Sequence, residues 1–577
     1  MNFVYKCKER IALYVCMAII ALLVFVPLYI HRYYYLGEDS IGYFGIAATM
    51  AGKDWSNVLS TIDTFSYGYS LLLIPAIALS KKIGSTLIFA AIINAGLMVL
   101  SFYCIYKCCQ KIFNVKESLV LAFALALYSG SISASQYYGA DLLVLTEFSF
   151  LIYVVLLYIE APKIKYAVLL TTIGTFIYAT HRIALIVMIS FFVLNVVMLM
   201  GKKIDTKLFL EYLIFQIVLF LVAKYAYSIN GQLFATVKSM DVNSTAQRTK
   251  WLLEEIVTKE FWLRTIKNIF RQLLYLSVSS LGLGLFAIIH FAITTVVNFK
   301  KNMFEHPFFY FKGFIICTYL LQILVVSVVL NPTSVSYLGM GRYSDYIVPF
   351  LIFLYVIDFV GKKDSNITKY SILCILLWLL INVIGAYCFW YDYNQFENRT
   401  VSGFSNFIGE SWVMYYSFSW IKVILLIFSF SILIHRISSR QNKFIILTLT
   451  LIAYFTFCVI PPFEKEIYKG VEKYEAEYYK LGEILNDHKI TTLYWPFGVQ
   501  STNFRHCQVY CSNVQMYYYL RDDVDYGSEV EEYFIHESDL TGSNKVIVTL
   551  KDTDIINNKN ADVLGEFFDF YVVLLAK

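Results

Sequence analysis

The stretch Gly37-Glu38-Asp39-Ser40-Ile41-Gly42-Tyr43, running on through Ala47 to Gly52, decides how the rest of the chain is read. It is the first polar segment after the apolar run at 11–31, and its two adjacent carboxylates stand a few residues beyond the end of that run. A charge in such a place is stable only where it faces headgroups, water or a polar cavity. Asp39, Tyr43 and Ala47 recur every four residues, so as a helix they share one face, and the segment is expected to lie along a membrane surface. Beyond it, Lys53-Asp54-Trp55 forms a polar patch, and Phe65-Ser66-Tyr67-Gly68-Tyr69 leads into an apolar stretch at 71–79.

Composition agrees with a membrane setting. Of 577 residues 58% are hydrophobic and 15% charged, with a mean hydropathy of +0.61, which excludes an ordinary soluble chain and points to a polytopic membrane protein. The net charge of +5 is not laid out as a basic stripe interleaved with aromatics, so nucleic acid is not an expected partner. The eleven cysteines are scattered. Cys507 and Cys511, close together in a region expected outside the membrane, could form one local bridge, but no disulfide framework is implied. The run at 11–31 is longer than a signal-peptide core and carries no small-x-small cleavage site, so it reads as the first span.

A span needs roughly 20 apolar residues. Such runs fall near 11–31, 84–106, 117–133, 141–160, 165–180, 183–200, 208–227, 272–297, 313–331, 343–360, 370–389, 412–434 and 443–461, roughly thirteen helices. Alternate loops carry Lys6/Lys8/Arg10, Lys107/Lys111/Lys116, Lys163/Lys165, Lys202/Lys203/Lys207, Lys300/Lys301/Lys312, Lys362/Lys363/Lys369 and Arg436/Arg440/Lys443, which marks them as cytoplasmic. The amino terminus is therefore expected inside. The loop 32–83, the segments 228–271, 332–342 and 390–411, and everything after Pro461 are expected outside. The run ending at Ser80 is too short to cross, so it is taken as a re-entrant or interfacial helix, with Lys81 and Lys82 as headgroup contacts. After Pro461-Pro462 the composition turns polar: helical periodicity over 464–486 and strand-like runs at 491–495, 545–550 and 570–575 predict a small α/β domain at 462–577, behind a transmembrane part at 1–461.

The order Asp39-Ser-Ile-Gly-Tyr43, Ala47, Met50, Gly52 and then Tyr67-Gly-Tyr-Ser-Leu-Leu-Leu-Ile-Pro75 resembles the first external loop of the GT-C membrane glycosyltransferases. These include the protein O-mannosyltransferases and the aminoarabinose transferase of lipid A. The family pattern is Asp-Glu-x-x-Tyr; here Ser40 follows Asp39 and the second acid, Glu38, precedes it. The resemblance covers mainly 1–360. It implies a helical bundle that takes a sugar from a polyprenyl-phosphate donor to a glycan, lipid or protein acceptor, with Asp39 as general base. Gly339-Met-Gly-Arg342-Tyr343 resembles the family's Arg-Tyr element, associated with the donor phosphate, and Glu147 its Ser/Thr-Glu pattern. No cofactor is required on this reading, although Glu38 with Asp39 could hold a divalent metal.

The residues carry the same chemistry on their own terms. Arg is suited to phosphate because its planar fork spans two oxygens and never loses its charge. Arg182, preceded by His181, interrupts some thirty-five apolar residues, where an unpartnered Arg would cost roughly 3 kcal/mol. Each has a plainer reading: a tight external turn for His181-Arg182, a helix-end cation reaching the headgroups for Arg342, and a structural ion pair for Glu147, with Arg182 as one partner. Asp345 could pair with Arg342. Glu38, Tyr43, Glu147, His181, Arg182, Arg342 and Tyr343 are the candidate substrate contacts, and Asp39, Arg182 and Arg342 are expected to meet in one external cavity. No phosphate-cradling Gly-rich loop or zinc-type pair array is present, so a nucleotide sugar is not the expected donor. The rival classes are a transporter or flippase for a lipid-linked sugar, a polysaccharide polymerase or ligase using Arg248, Arg264 and Arg271, and a non-catalytic scaffold.

Overall fold

The computed structural model describes residues 2–30, 36–59, 66–232, 252–297, 304, 307–329, 343–359, 367–391, 440–459, 468–526, 534–540, 545–551 and 561–575. Arg248, Arg342 and the expected span 412–434 lie outside them, as do the side chains of Glu38 and Ile183.

The first apolar run forms α1 (Asn2–Ile30). The decisive stretch is helical, as its spacing predicts: α2 (Glu38–Met50) starts at Gly37, whose extended backbone caps it without a side-chain bond. A short α3 (Ser56–Leu59) and the apolar α4 (Gly68–Leu79) complete the loop. Then follow α5 (Ser85–Gln110), α6 (Val115–Ala126), α7 (Ser129–Ser135), α8 (Ala140–Glu160), α9 (Ile164–Thr180), a 3-10 turn (Arg182–Ala184) and α10 (Leu185–Met200). After these come α11 (Thr206–Gln232), α12 (Lys259–Ser279), α13 (Leu283–Val297), α14 (Pro307–Val329), α15 (Val348–Phe359), α16 (Ile367–Tyr391) and α17 (Arg440–Val459).

Among the described residues five helices are long and apolar enough to cross a membrane, or up to seven if each of two bent pairs is one span, against the roughly thirteen expected. Several of the expected spans are apolar helices of 10–17 residues, such as α9, α10 and α15. Two expected spans are also broken. The run 117–133 is α6 and α7, bent by 61°, and the run 272–297 is α12 and α13, bent by 117°. At the second break Leu281 and Gly282 both take positive φ, 52° and 78°. That conformation ends a right-handed helix and is one that glycine adopts at little cost. The N-terminal half of α12 also occupies part of the segment expected as an external loop.

The carboxy-terminal unit starts with α18 (Tyr468–Asp487) and carries a six-stranded sheet in the order β3-β2-β1-β4-β6-β5. Its strands are β1 (Thr492–Pro496), β2 (Gln515–Leu520), β3 (Ile535–His536), β4 (Lys545–Leu550), β5 (Ala561–Phe567) and β6 (Phe570–Leu575). The first four are parallel; β6 and β5 form an antiparallel hairpin on the β4 edge. Parallel neighbours need a crossover, and α19 (Ser501–Tyr510) supplies it between β1 and β2. Trp495, fully buried, packs against Phe504, Phe567 and Phe570 at the centre of this core. The bridge considered between Cys507 and Cys511 is not made: both thiols are free and buried at the end of α19. Burial pushes the Cys511 thiol up to about 12.

The domain is docked on the first loop. Lys53 Nζ donates to Ser512 O at 2.8 Å, Tyr518 N to Asn57 Oδ1 at 2.9 Å, Asn513 Nδ2 to Lys81 O at 2.5 Å and Gly84 N to Tyr510 O at 3.0 Å. Lys81 and Lys82 thus lie on the side of the bundle that carries the domain.

Candidate functional site

Asp39 is exposed in the first turn of α2, where the unsatisfied N–H groups of the helix start favour a negative charge. The rest of its face is buried and fixes the helix. Tyr43 meets Tyr69 of α4 edge-on at 5.5 Å, and Phe44 lies against Tyr138. Tyr69 donates to Asn94 Oδ1 at 2.8 Å, and Asn94 Nδ2 donates to the carbonyls of Ser135 and Tyr137. One amide on α5 thereby joins α4 to the backbone beyond α7.

Next to Tyr69, Gly68 opens α4 against the end of α9. A Cβ on Gly68 would sit 2.5 Å from Thr180 Oγ1 and 2.7 Å from Thr180 Cα. The Thr180 hydroxyl donates to Glu147 Oε1 at 2.9 Å, while Glu147 Oε2 is buried without a hydrogen-bond partner. A buried carboxylate oxygen left open in this way has capacity for one more donor. Glu147 thus takes its bond from Thr180. The Arg182 guanidinium instead lies 4.3 Å from the Tyr227 ring centroid of α11. The turn expected at His181-Arg182 is present, as the 3-10 turn between two short apolar helices.

His181 faces Tyr343 edge-on at 5.7 Å, and both line a pocket with Asp141, Val144, Ala184, Gln322 and Tyr346. Tyr346 donates to Gln322 Oε1 at 3.0 Å. The pocket therefore draws on the start of α8, the α9–α10 turn, the middle of α14 and the approach to α15. Asp345, buried beside it, accepts from Tyr128 at 2.7 Å and Tyr275 at 2.6 Å, so the segment following Arg342 is tied to α12 and to the α6–α7 corner.

The contacts run continuously from α2 through Tyr69 and Gly68 to Thr180 and the His181-Arg182 turn. Tyr43, Glu147, His181, Arg182 and Tyr343 are thus gathered by α4, α8, α9 and the segment before α15, and Asp39 stands at the exposed start of α2. Arg342 and the Glu38 side chain lie outside the described residues, so the expected meeting with Arg342 does too. Among the described residues no three His, Cys, Asp or Glu side chains come together as a metal site. Of the arginines a polymerase would use, Arg264 pairs with Glu255 at 2.6 Å. Arg271 is buried on Asn268 and the Cys388 carbonyl, so both have structural employment. Sequence reasoning missed Asn94, Gln322 and Tyr346; the signal for the first two was a lone amide in an otherwise apolar span.

No protein-family model matches the chain, and no curated protein sequence matches it. Solved structures do. The chain superposes on ArnT from Cupriavidus metallidurans bound to undecaprenyl phosphate over 98% of both chains, at 13% identity and a TM-score of 0.51. The apo state of that protein gives 12% and 0.49 over the same shares. The apo oligosaccharyltransferase of Archaeoglobus fulgidus aligns over 90% of this chain and 65% of its own, at 11% identity and a TM-score of 0.46. The superposition on the lipid-bound ArnT, over 98% of both chains, shows a shared overall fold that takes in the carboxy-terminal domain, for which the sequence offered only pattern.

Proposed function

We propose that this GT-C-fold chain is a membrane glycosyltransferase, moving a sugar from a polyprenyl-phosphate donor to an acceptor hydroxyl at the external membrane face. The observation that carries the proposal is the fold shared over 98% of both chains with ArnT in complex with undecaprenyl phosphate. Exposed Asp39, seated at the start of a rigidly packed helix, supports it. In this reading Asp39 takes the acceptor's hydroxyl proton as the oxygen bonds to the anomeric carbon. The bond from that carbon to the phosphate oxygen breaks, and its electron pair leaves with the lipid phosphate. Arg342, with Arg182, stabilises the charge that grows there. His181 and Tyr343, which line a small pocket with Asp141 and Gln322, contact the sugar at its edge. The amino terminus is cytoplasmic, and the domain after Pro461 is external.

The test is Asp39→Asn, which keeps size and hydrogen-bonding reach but cannot take the proton. Transfer from a polyprenyl-phosphate sugar should fall by a factor of about 10² to 10⁴, with donor binding retained; Glu38→Gln should cost less. Turnover near wild type would remove Asp39 from the mechanism. Loss of binding with activity would make it a substrate or metal ligand instead. A wild-type protein that moves the donor across vesicles without releasing polyprenyl phosphate would be a transporter.

A further inference from the structure

A buried side chain of the carboxy-terminal domain reaches the segment just before α2. His506, on α19 and 4% exposed, places Nε2 2.9 Å from the carbonyl oxygen of Leu36 and Nδ1 2.7 Å from that of Thr502 in its own helix. Leu36 is itself buried and immediately precedes Gly37, the cap of α2, with Asp39 three residues on. Both partners are carbonyls and can only accept, so both ring nitrogens are needed as donors; a neutral ring, with one N–H, satisfies one of them. The ring is held in place by Tyr478 of α18, which stacks on it at 5.8 Å and 7° and donates its own hydroxyl to Asn503 Oδ1 at 3.0 Å. Bonds between domain and loop through Lys53, Asn57, Lys81 and Gly84 hold positions after α2. His506 holds the position before it.

We propose that His506 is a positioning residue for the transferase: its Nε2–H, donated to Leu36 O, fixes the first turn of α2 and hence the reach of Asp39 into the reaction. The proposal rests on the glycosyltransferase reading for its effect on rate, but its effect on the loop stands apart. A backbone carbonyl cannot be mutated, so the test divides the imidazole between two amides. His506→Gln places its amide nitrogen near the position of Nε2 and keeps the Leu36 bond; His506→Asn matches Nδ1, keeps the Thr502 bond and loses Leu36.

In the full-length protein, hydrogen exchange of the amides at 37–43 should be about five- to tenfold faster in the Asn variant than in wild type, the factor one such bond is worth. It should be close to wild type in the Gln variant. With a polyprenyl-phosphate sugar as donor, the Asn variant should lose kcat by roughly tenfold or more at unchanged donor KM, and the Gln variant should restore it. Exchange that is unchanged in the Asn variant, or equally fast in both, overturns the proposal, because the ring would then act by bulk alone. If exchange behaves as expected and wild type transfers no sugar, the positioning contact stands and the transferase reading falls.

Discussion

Replacing Gly68 by alanine tests whether the seat between α4 and α9 governs the site. The added carbon would lie 2.5 to 2.8 Å from three Thr180 atoms, two of them backbone. No side-chain rotation relieves a contact with backbone, so α4 or the α9 end must move apart by several tenths of an ångström. Overpacking of this kind costs about 1–3 kcal/mol, and a backbone obstacle puts the value in the upper half. Alanine's better helix propensity offsets less than about 1 kcal/mol of that at the first position of a helix, leaving a net loss near 1–2 kcal/mol. Gly96 is the control. It lies inside α5 with nothing within 4 Å of its Cβ position, so Gly96→Ala should be neutral or stabilising. Because Thr180 anchors Glu147 and leads into His181 and Arg182, a shift there should also cost transfer ten- to hundredfold, as misplacements of about 1 Å do. Unfolding midpoints of the purified variants, with initial rates, decide it. A Gly68→Ala protein as stable and active as Gly96→Ala would refute the packing argument.

Asp345→Ala would take an acceptor from the buried hydroxyls of Tyr128 and Tyr275, at a cost of about 2 kcal/mol or more, whereas Asp345→Asn keeps an acceptor oxygen and should cost about half as much; equal unfolding midpoints for the two would remove Asp345 as the anchor. In the carboxy-terminal domain, burial, then Asp522 and Asp523, push the Glu537 carboxyl above its usual range. The folded domain holds that proton more tightly than the unfolded chain, so the contribution to stability is present at low pH and lost as pH rises through the raised value. Glu537→Gln should therefore raise the melting midpoint at about pH 7 and leave it unchanged near pH 4, and a gain of equal size at both would exclude the carboxyl as its source. Native Cys507 and Cys511, buried and with thiols pushed up, should resist thiol reagents, while a cysteine at exposed Asp487 should react with a membrane-impermeant reagent on intact cells; labelling only after lysis would reverse the topology.

The helical face of Asp39, Tyr43 and Ala47 was legible because a spacing of four has one structural meaning, and the same holds for the polar helix and the strand-like runs after Pro461. The His181-Arg182 turn was legible because an arginine cannot stay unpartnered among apolar residues. The breaks at Leu127-Tyr128 and Ser280-Gly282 were not, because a local dihedral choice leaves hydropathy unchanged. The strands at 515–520 and 561–567 were missed because one reads as a tyrosine run and the other alternates around an acid and a glycine. His506 could not have been found: its meaning lies in a carbonyl 470 residues away, which no local pattern encodes.

That separation has a consequence for how the molecule is made. The loop bearing Asp39 leaves the ribosome near the beginning of synthesis, and its partners Ser512, Tyr518 and His506 arrive 459, 461 and 470 residues later. At ordinary translation rates that is on the order of half a minute, during which the loop is without its brace. A product truncated between α17 and α19 would carry the helical part of the chain and lack these contacts, leaving the loop unbraced.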